Sequence, residues 1–186
     1  MSESSTPLLT LEPLVEAVQD GIEREGWALS GLQKTTSLQF EGRWEGESTR
    51  SAYLFFHRDG LPDWVSLDVF LDETSKGLKG NLALVIDGPE LGELGTMEEL
   101  LKALATVSSD ALPEGYPTPV SVRLRLPRAS TEPGEADTEF RLKLRIPKRA
   151  FEAGADALSA LASTSVTAFE AALQHPELKP FLTETE

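Results

Sequence analysis

Val120, Val122, Leu124 and Leu126 alternate with Ser121, Arg123 and Arg125. Further on, Phe140, Leu142, Leu144 and Ile146 alternate with Glu139, Arg141, Lys143 and Arg145. A period of two sends the apolar side chains of both runs to one face of a strand pair and the cations to the other. Pro119, Pro127 and Pro147 bracket the runs, because proline cannot continue a central ladder. The pattern predicts an antiparallel pair joined by a long, mobile tip, Arg128 to Asp137, with one face that needs a cover and one basic face.

The rest of the chain carries complementary patterns. Thr10 can cap a helix with Pro13 in its first turn. Leu11, Leu14, Val15, Val18 and Ile22 form its apolar stripe, Gly26 is its stop, and Trp27 is an anchor. Thr35 to Trp44 reads as a strand with Leu38, Phe40 and Trp44 on one face, followed by a polar turn at Gly46. Ala52 to Phe56 is apolar on both faces and reads as a central strand. Arg58-Asp59-Gly60 turns the chain into an alternating run from Trp64 to Leu71. Lys76-Gly77 turns it again into Leu82, Leu84 and Ile86, and Asp87-Gly88-Pro89 ends that run. Thr96 to Glu99 matches a capping box before the stripe Leu100, Leu101, Leu104 and Val107. After a proline-rich connection, 112–119, and the strand pair, a last helix is predicted from about Arg149 to Gln174.

The predicted order is α-β-β-β-β-α-β-β-α. Strands in runs separated from helices indicate an α+β fold with a single antiparallel sheet and helices on one face. The expected organisation is a disordered N-terminus over 1–7, one domain over 8–175, and a flexible C-terminal tail over 176–186.

The last helix is chemically unusual. Leu158, Leu161, Ser165, Phe169 and Leu173 form one stripe, but between Ala153 and Phe169 the only charged residue is Asp156. A helix with a solvent face normally carries charge there. This one reads as covered on more than one side, by a second subunit in a symmetric homodimer or by the first helix of the same chain. The stripe is the expected dimer interface.

Composition narrows the function. The 186 residues carry a formal net charge of −14, which argues against general binding to duplex DNA. The charge is uneven, since residues 123–149 hold eight bases and four acids. The absence of cysteine excludes disulfides, thiol nucleophiles and cysteine-based metal sites. The first residues lack the pattern of a signal peptide, and no apolar run reaches the ~20 residues of a membrane span. A cytoplasmic protein is expected.

No catalytic motif stands out. His57 and His175 lack a helical i, i+4 partner. Asp59, Asp63, Asp68, Asp72 and Glu73 do not space as a calcium loop and read as solvated charge, with divalent binding the lesser alternative. Gly88, Gly92 and Gly95 make neither dinucleotide nor P-loop fingerprints, and no G-x-S-x-G elbow exists. Neither a catalytic residue, a metal nor a cofactor is expected, and the chain is not read as an enzyme.

The basic face is the best functional signal. Arg123, Arg125, Arg141, Lys143 and Arg145 share it, and like charges directly opposite one another cost stability. Anions must therefore come from the protein itself, from an acidic segment of another protein, or from a nucleic-acid single strand. The last would want aromatics among the cations, and this face has none.

The element order, size and acidity over roughly residues 8–175 resemble the YbjN family and the type III secretion chaperone-like fold that it shares. No diagnostic motif contributes. The resemblance implies a homodimer that holds extended segments of partner proteins without catalysis. Similarity to YbjN-like proteins of radiation-resistant bacteria implies a partner in the DNA-damage response, namely a single-stranded-DNA-binding protein. The expected function is thus a chaperone- or adaptor-like protein that captures a partner through the five basic residues. The alternatives are a ligand-sensing regulator with a small-molecule cavity under the sheet, and direct binding of single-stranded nucleic acid.

Overall fold

Leu11, Leu14, Val15, Val18 and Ile22 are all buried, so the first predicted stripe is the inner face of a helix, α1 (Glu12–Glu23). The structure is a computed structural model, and it describes residues 11–40, 44–74, 76–87, 94–111, 120–125 and 137–182. Leu11 occupies the N-cap position of α1, with Pro13 in the first turn as predicted. The predicted cap, Thr10, lies outside the described residues, as does the N-terminal segment 1–7. Past α1 the chain turns at Gly26, whose φ of +88° suits a residue without Cβ.

Six strands follow in two groups: β1 (Ala28–Phe40), β2 (Trp44–His57), β3 (Val65–Thr74) and β4 (Gly77–Asp87), then β5 (Val120–Arg125) and β6 (Asp137–Arg145). Between the groups lies α2 (Leu94–Ala111), and β6 leads into α3 (Lys148–Ala153) and α4 (Ala155–Leu173). All pairings are antiparallel, and the sheet order is β1-β2-β3-β4-β6-β5. The fold is α+β with one antiparallel sheet. The β1–β4 meander reflects the short connections, and β6 rather than β5 joins it, along β4.

The side chains sort by the pleat. Leu54, Val69, Leu82 and Leu144 are successive cross-strand partners, and all are buried. Above them lies one layer of helices. α1 packs on α4, α1 also touches β1 and β2, and α2 touches α4, β5 and β6. Leu100, Leu104 and Val107 of α2 join the same core. Leu101 is 40% exposed and lies at the edge of its stripe. Removing a buried leucine from such a core costs about 2–5 kcal/mol.

Four sequence expectations change. The first strand was expected over Thr35–Trp44 with a turn at Gly46. Instead β1 begins at Ala28, Trp44 opens β2 opposite Phe40, and Gly46 lies within β2. Glu45 to Ser51 is polar at nearly every position, so no alternation betrays a strand, yet backbone pairing with β1 needs none. β1 also shifts register between Leu29 and Gly31, Thr35 and Thr36, and Leu38 and Phe40. Each shift breaks a period-two pattern in the sequence.

The second change is at Thr96, which stands inside α2 rather than at its cap, because the helix begins at Leu94. The third is the single last helix, which is two helices. Gly154 holds φ +94° and ψ −167°, outside the helical region, and separates α3 from α4. The fourth concerns the tail expected from residue 176. The chain there turns through Leu178, fully buried in the core, into a short 3-10 turn, Lys179–Phe181. The predicted tip from Arg128 and the 112–119 connection lie outside the described residues.

Candidate binding surface

The pleat that buries one face of the sheet defines the other. Tyr53, Phe70, Asn81 and Arg145 are successive cross-strand partners on β2, β3, β4 and β6. The next row is Phe55, Asp68, Ala83 and Lys143, and the next runs through Ser66, Val85, Arg141 and Ser121 of β5. No described helix packs on this side. Ala83 and Val85 are nonetheless buried, being short side chains among long neighbours. All five predicted basic residues belong to this face by strand parity.

The face treats its cations differently. Arg141 donates from Nε to Glu139 Oε1 at 2.5 Å and from Nη2 to Asp68 Oδ2 at 2.9 Å. Its side chain is 25% exposed, Glu139's 15% and Asp68's 13%, so the cluster is largely withdrawn from water. Burial pushes the Asp68 carboxyl above its ordinary value. The Arg141 guanidinium and the Ser66 hydroxyl, which donates to Oδ1 at 3.2 Å, pull the other way without cancelling it. Burial opposes the charge on Arg141, but Glu139 and Asp68 outweigh it and hold that charge more firmly than usual. Arg141 is therefore a structural cation.

Arg123 stands opposite Glu139 and reaches its carboxylate at 3.7 Å, while its side chain remains 55% exposed. Arg125 stands opposite Asp137, and its side chain lies outside the described atoms. Lys143 and Arg145 lie beyond the start of β5, whose pairing begins at Val120 opposite Leu142. They form no ion pair with any described residue. The expected repulsion between facing cations does not arise, because the register sets Arg123, Arg125 and Arg141 against Glu139, Asp137 and Ser121.

The expectation that this face lacks aromatics is also corrected. It holds for the strand pair alone, but β2 and β3 bring Tyr53, Phe55 and Phe70 to the same side. The Tyr53 and Phe70 rings lie 4.5 Å apart with 31° between their planes. Two open depressions mark the surface. One, of about 800 Å³, lies at the end of the sheet between Phe70, Lys79, Lys143, Arg145 and Lys148. The other, of about 600 Å³, lies by Trp64, Asp68, Arg123 and Arg141. Neither lies under the sheet, where a ligand cavity was one alternative.

The predicted dimer stripe has a different place. Leu158, Ser165, Phe169 and Leu173 are buried within the single chain, and Leu161 packs partly buried against the same core. The missing charge on α4 is explained by α1, which covers the second side. Gly21 sits so close that a Cβ there would come within 2.4 Å of the Ser159 carbonyl oxygen. Polar links border the seam: Arg24 to Ser159 Oγ at 3.3 Å, Ser163 to Glu25, and Trp27 Nε1 to Glu170 Oε1 at 3.1 Å. Glu170 also pairs with Arg58. Four of the five residues are thus core of the single chain, and Leu161 alone keeps part of its surface open.

The histidines are engaged locally. His57 Nδ1 lies 2.8 Å from Ser30 Oγ. His175 Nδ1 accepts the Glu177 amide at 3.2 Å, which leaves Nε2 to carry the proton toward Asp110 Oδ2 at 3.4 Å. Of the carboxylates between 59 and 73, Asp68 is held by Arg141 and Asp72 by Lys79 at 3.1 Å. Among the described residues, no group of three or more His, Asp or Glu side chains is placed to hold a metal ion. No described helix is long and apolar enough to cross a membrane. Compared with known proteins, the chain matches no family model, no curated protein and no solved structure.

Proposed function

We propose that this chain is a non-catalytic, adaptor-like protein of the cytoplasm that takes an extended, acidic segment of another protein along the outer edge of β5. The observation that carries the reading is the position of Arg123. β5 is the terminal strand of the sheet, and an end strand can accept a further strand through its backbone. Arg123 is more than half exposed there, and its nearest carboxylate, Glu139, is held more closely by Arg141. Its charge is only partly met by that long pair, which leaves it able to attract an incoming anion. Arg125, two residues on, shares its face.

The resemblance to the YbjN family supports a protein as the ligand and names its class, a single-stranded-DNA-binding protein. Self-association, which the same resemblance implies, falls to surfaces other than the α4 stripe, and light scattering reads it as a mass of two chains rather than one. The docking reading is tested by calorimetric titration with a purified single-stranded-DNA-binding protein. Arg123→Gln with Arg125→Gln should weaken binding by about tenfold or more, the scale of charge pairs at an interface, and leave the melting temperature nearly unchanged, because no acid is set against Glu139 or Asp137. Equal affinity in the double variant refutes docking at β5.

A further inference from the structure

One row of the open face has no part in the β5 edge. Tyr53, Phe70, Asn81 and Arg145 follow one another across four strands. Three strand-to-strand steps of about 4.8 Å set the ends of the row about 14 Å apart. At one end Tyr53 is 43% exposed and in ring contact with Phe70. At the other, Arg145 and its neighbour Lys143 are without an anion among the described residues. The 800 Å³ depression continues from there to Lys79 and Lys148. The acids nearest the row are already engaged, Asp68 by Arg141 and Asp72 by Lys79.

An exposed tyrosine ring backed by a half-buried phenylalanine favours a flat ring laid beside it. Two uncommitted cations favour an anion. Both demands fall within about 14 Å, and a nucleotide chain meets both, because each base is tied through its sugar to a phosphate. We propose that this row binds single-stranded nucleic acid, with bases stacked on Tyr53 and Phe70 and phosphates held by Lys143 and Arg145. A duplex does not fit, because its base faces are already stacked on one another. The net charge of −14 repels a long polyanion, so the site grips a short length of strand.

The test is fluorescence anisotropy with a short labelled oligo(dT) at low salt. Arg145→Glu should abolish binding. Tyr53→Ala should weaken it by about tenfold, within the usual effect of losing one stacked base. Both positions are exposed, and an unchanged melting curve verifies that each variant folds. With two phosphates held, affinity should fall about sevenfold between about 50 and about 200 mM salt. An unlabelled duplex of the same sequence should fail to compete. Arg123→Gln, at the β5 edge, should leave oligo(dT) binding intact, which separates this site from the protein-docking surface. No binding at low salt overturns the inference. So does binding that ignores Tyr53→Ala, or an acidic peptide that displaces the oligonucleotide at equal concentration.

Discussion

Replacing Gly21 by alanine sets two large effects against each other. Gly21 lies inside α1, where alanine is the better helix former by about 1 kcal/mol. On local propensity alone the variant should be more stable. The packing says otherwise. The new Cβ would lie 2.4 Å from the Ser159 carbonyl oxygen and 3.1 Å from the Ala162 Cβ. The first obstacle is backbone and cannot rotate away, so α1 and α4 must separate by about 1 Å to reach van der Waals distance. A gap of that size forfeits a quarter to a half of each contact it opens, and it opens them along a seam that includes Val18, Ile22, Leu158 and Ala162. Overpacking of this kind costs about 1–3 kcal/mol. The contact is backbone, which places the cost at the upper end, so the net expectation is a loss of about 1–2 kcal/mol. For a chain of this length that lowers the melting temperature by about 2–8 °C. Thermal and urea denaturation followed by circular dichroism measure it. Adding Ala162→Gly should not rescue the variant, because the Ser159 carbonyl remains and a glycine inside α4 costs about 1 kcal/mol of its own. A Gly21→Ala protein as stable as the parent, or more so, would show that the two helices are not in this contact.

Two further outcomes follow from the core and the ion cluster. Phe169→Ala should cost about 3–5 kcal/mol, with a melting temperature independent of protein concentration, whereas an interface role for Phe169 would make it concentration-dependent. Asp68 takes up its proton at higher pH in the folded chain than in the unfolded one. Its contribution to stability is therefore present in full below the ordinary carboxylate pKa and is lost as pH rises through the raised folded value. The difference between parent and Asp68→Asn stability should shift in the parent's favour as pH falls through that window, and a flat difference would contradict the burial argument.

Much of this fold was legible because burial and pleat write themselves into the sequence. The alternation from Val65 to Leu71, the run Leu82 to Ile86, and Phe140 to Ile146 each face a core that demands apolar side chains at every second position. β1 escaped because its register shifts scramble that period. The outer half of β2 escaped because its pairing is carried by backbone groups, which leave no compositional trace. The stripe of α4 was read correctly as doubly covered, but a sequence shows only that a face is hidden and not which surface hides it. Gly21, four residues after Ala17 on α1, was the available signal for a close helix contact within the chain.

The open face of the sheet shows the same divide. All five cations were visible, and strand parity placed them together. Their unequal fates depend on register: Arg141 reaches Asp68 only because β3, β4 and β6 lie side by side. The aromatics were missed for the same reason. Tyr53, Phe55 and Phe70 are far from residue 141 in sequence and become its neighbours only when the meander and the strand pair join along β4 and β6.

The two flanks of the sheet differ in a way that bears on how the molecule avoids polymerising. An end strand is a template for another chain. On β1 three offsets divide the ladder, and the longest regular run is Gly31 to Thr35, too brief to seat a second copy firmly. β5 is regular but carries Arg123 and Arg125, which would meet their own counterparts if two such flanks came together. Among the described residues one flank is unsuitable by geometry and the other by like charge, and the charge that deters a second copy on β5 is the charge that would draw the acidic strand proposed above.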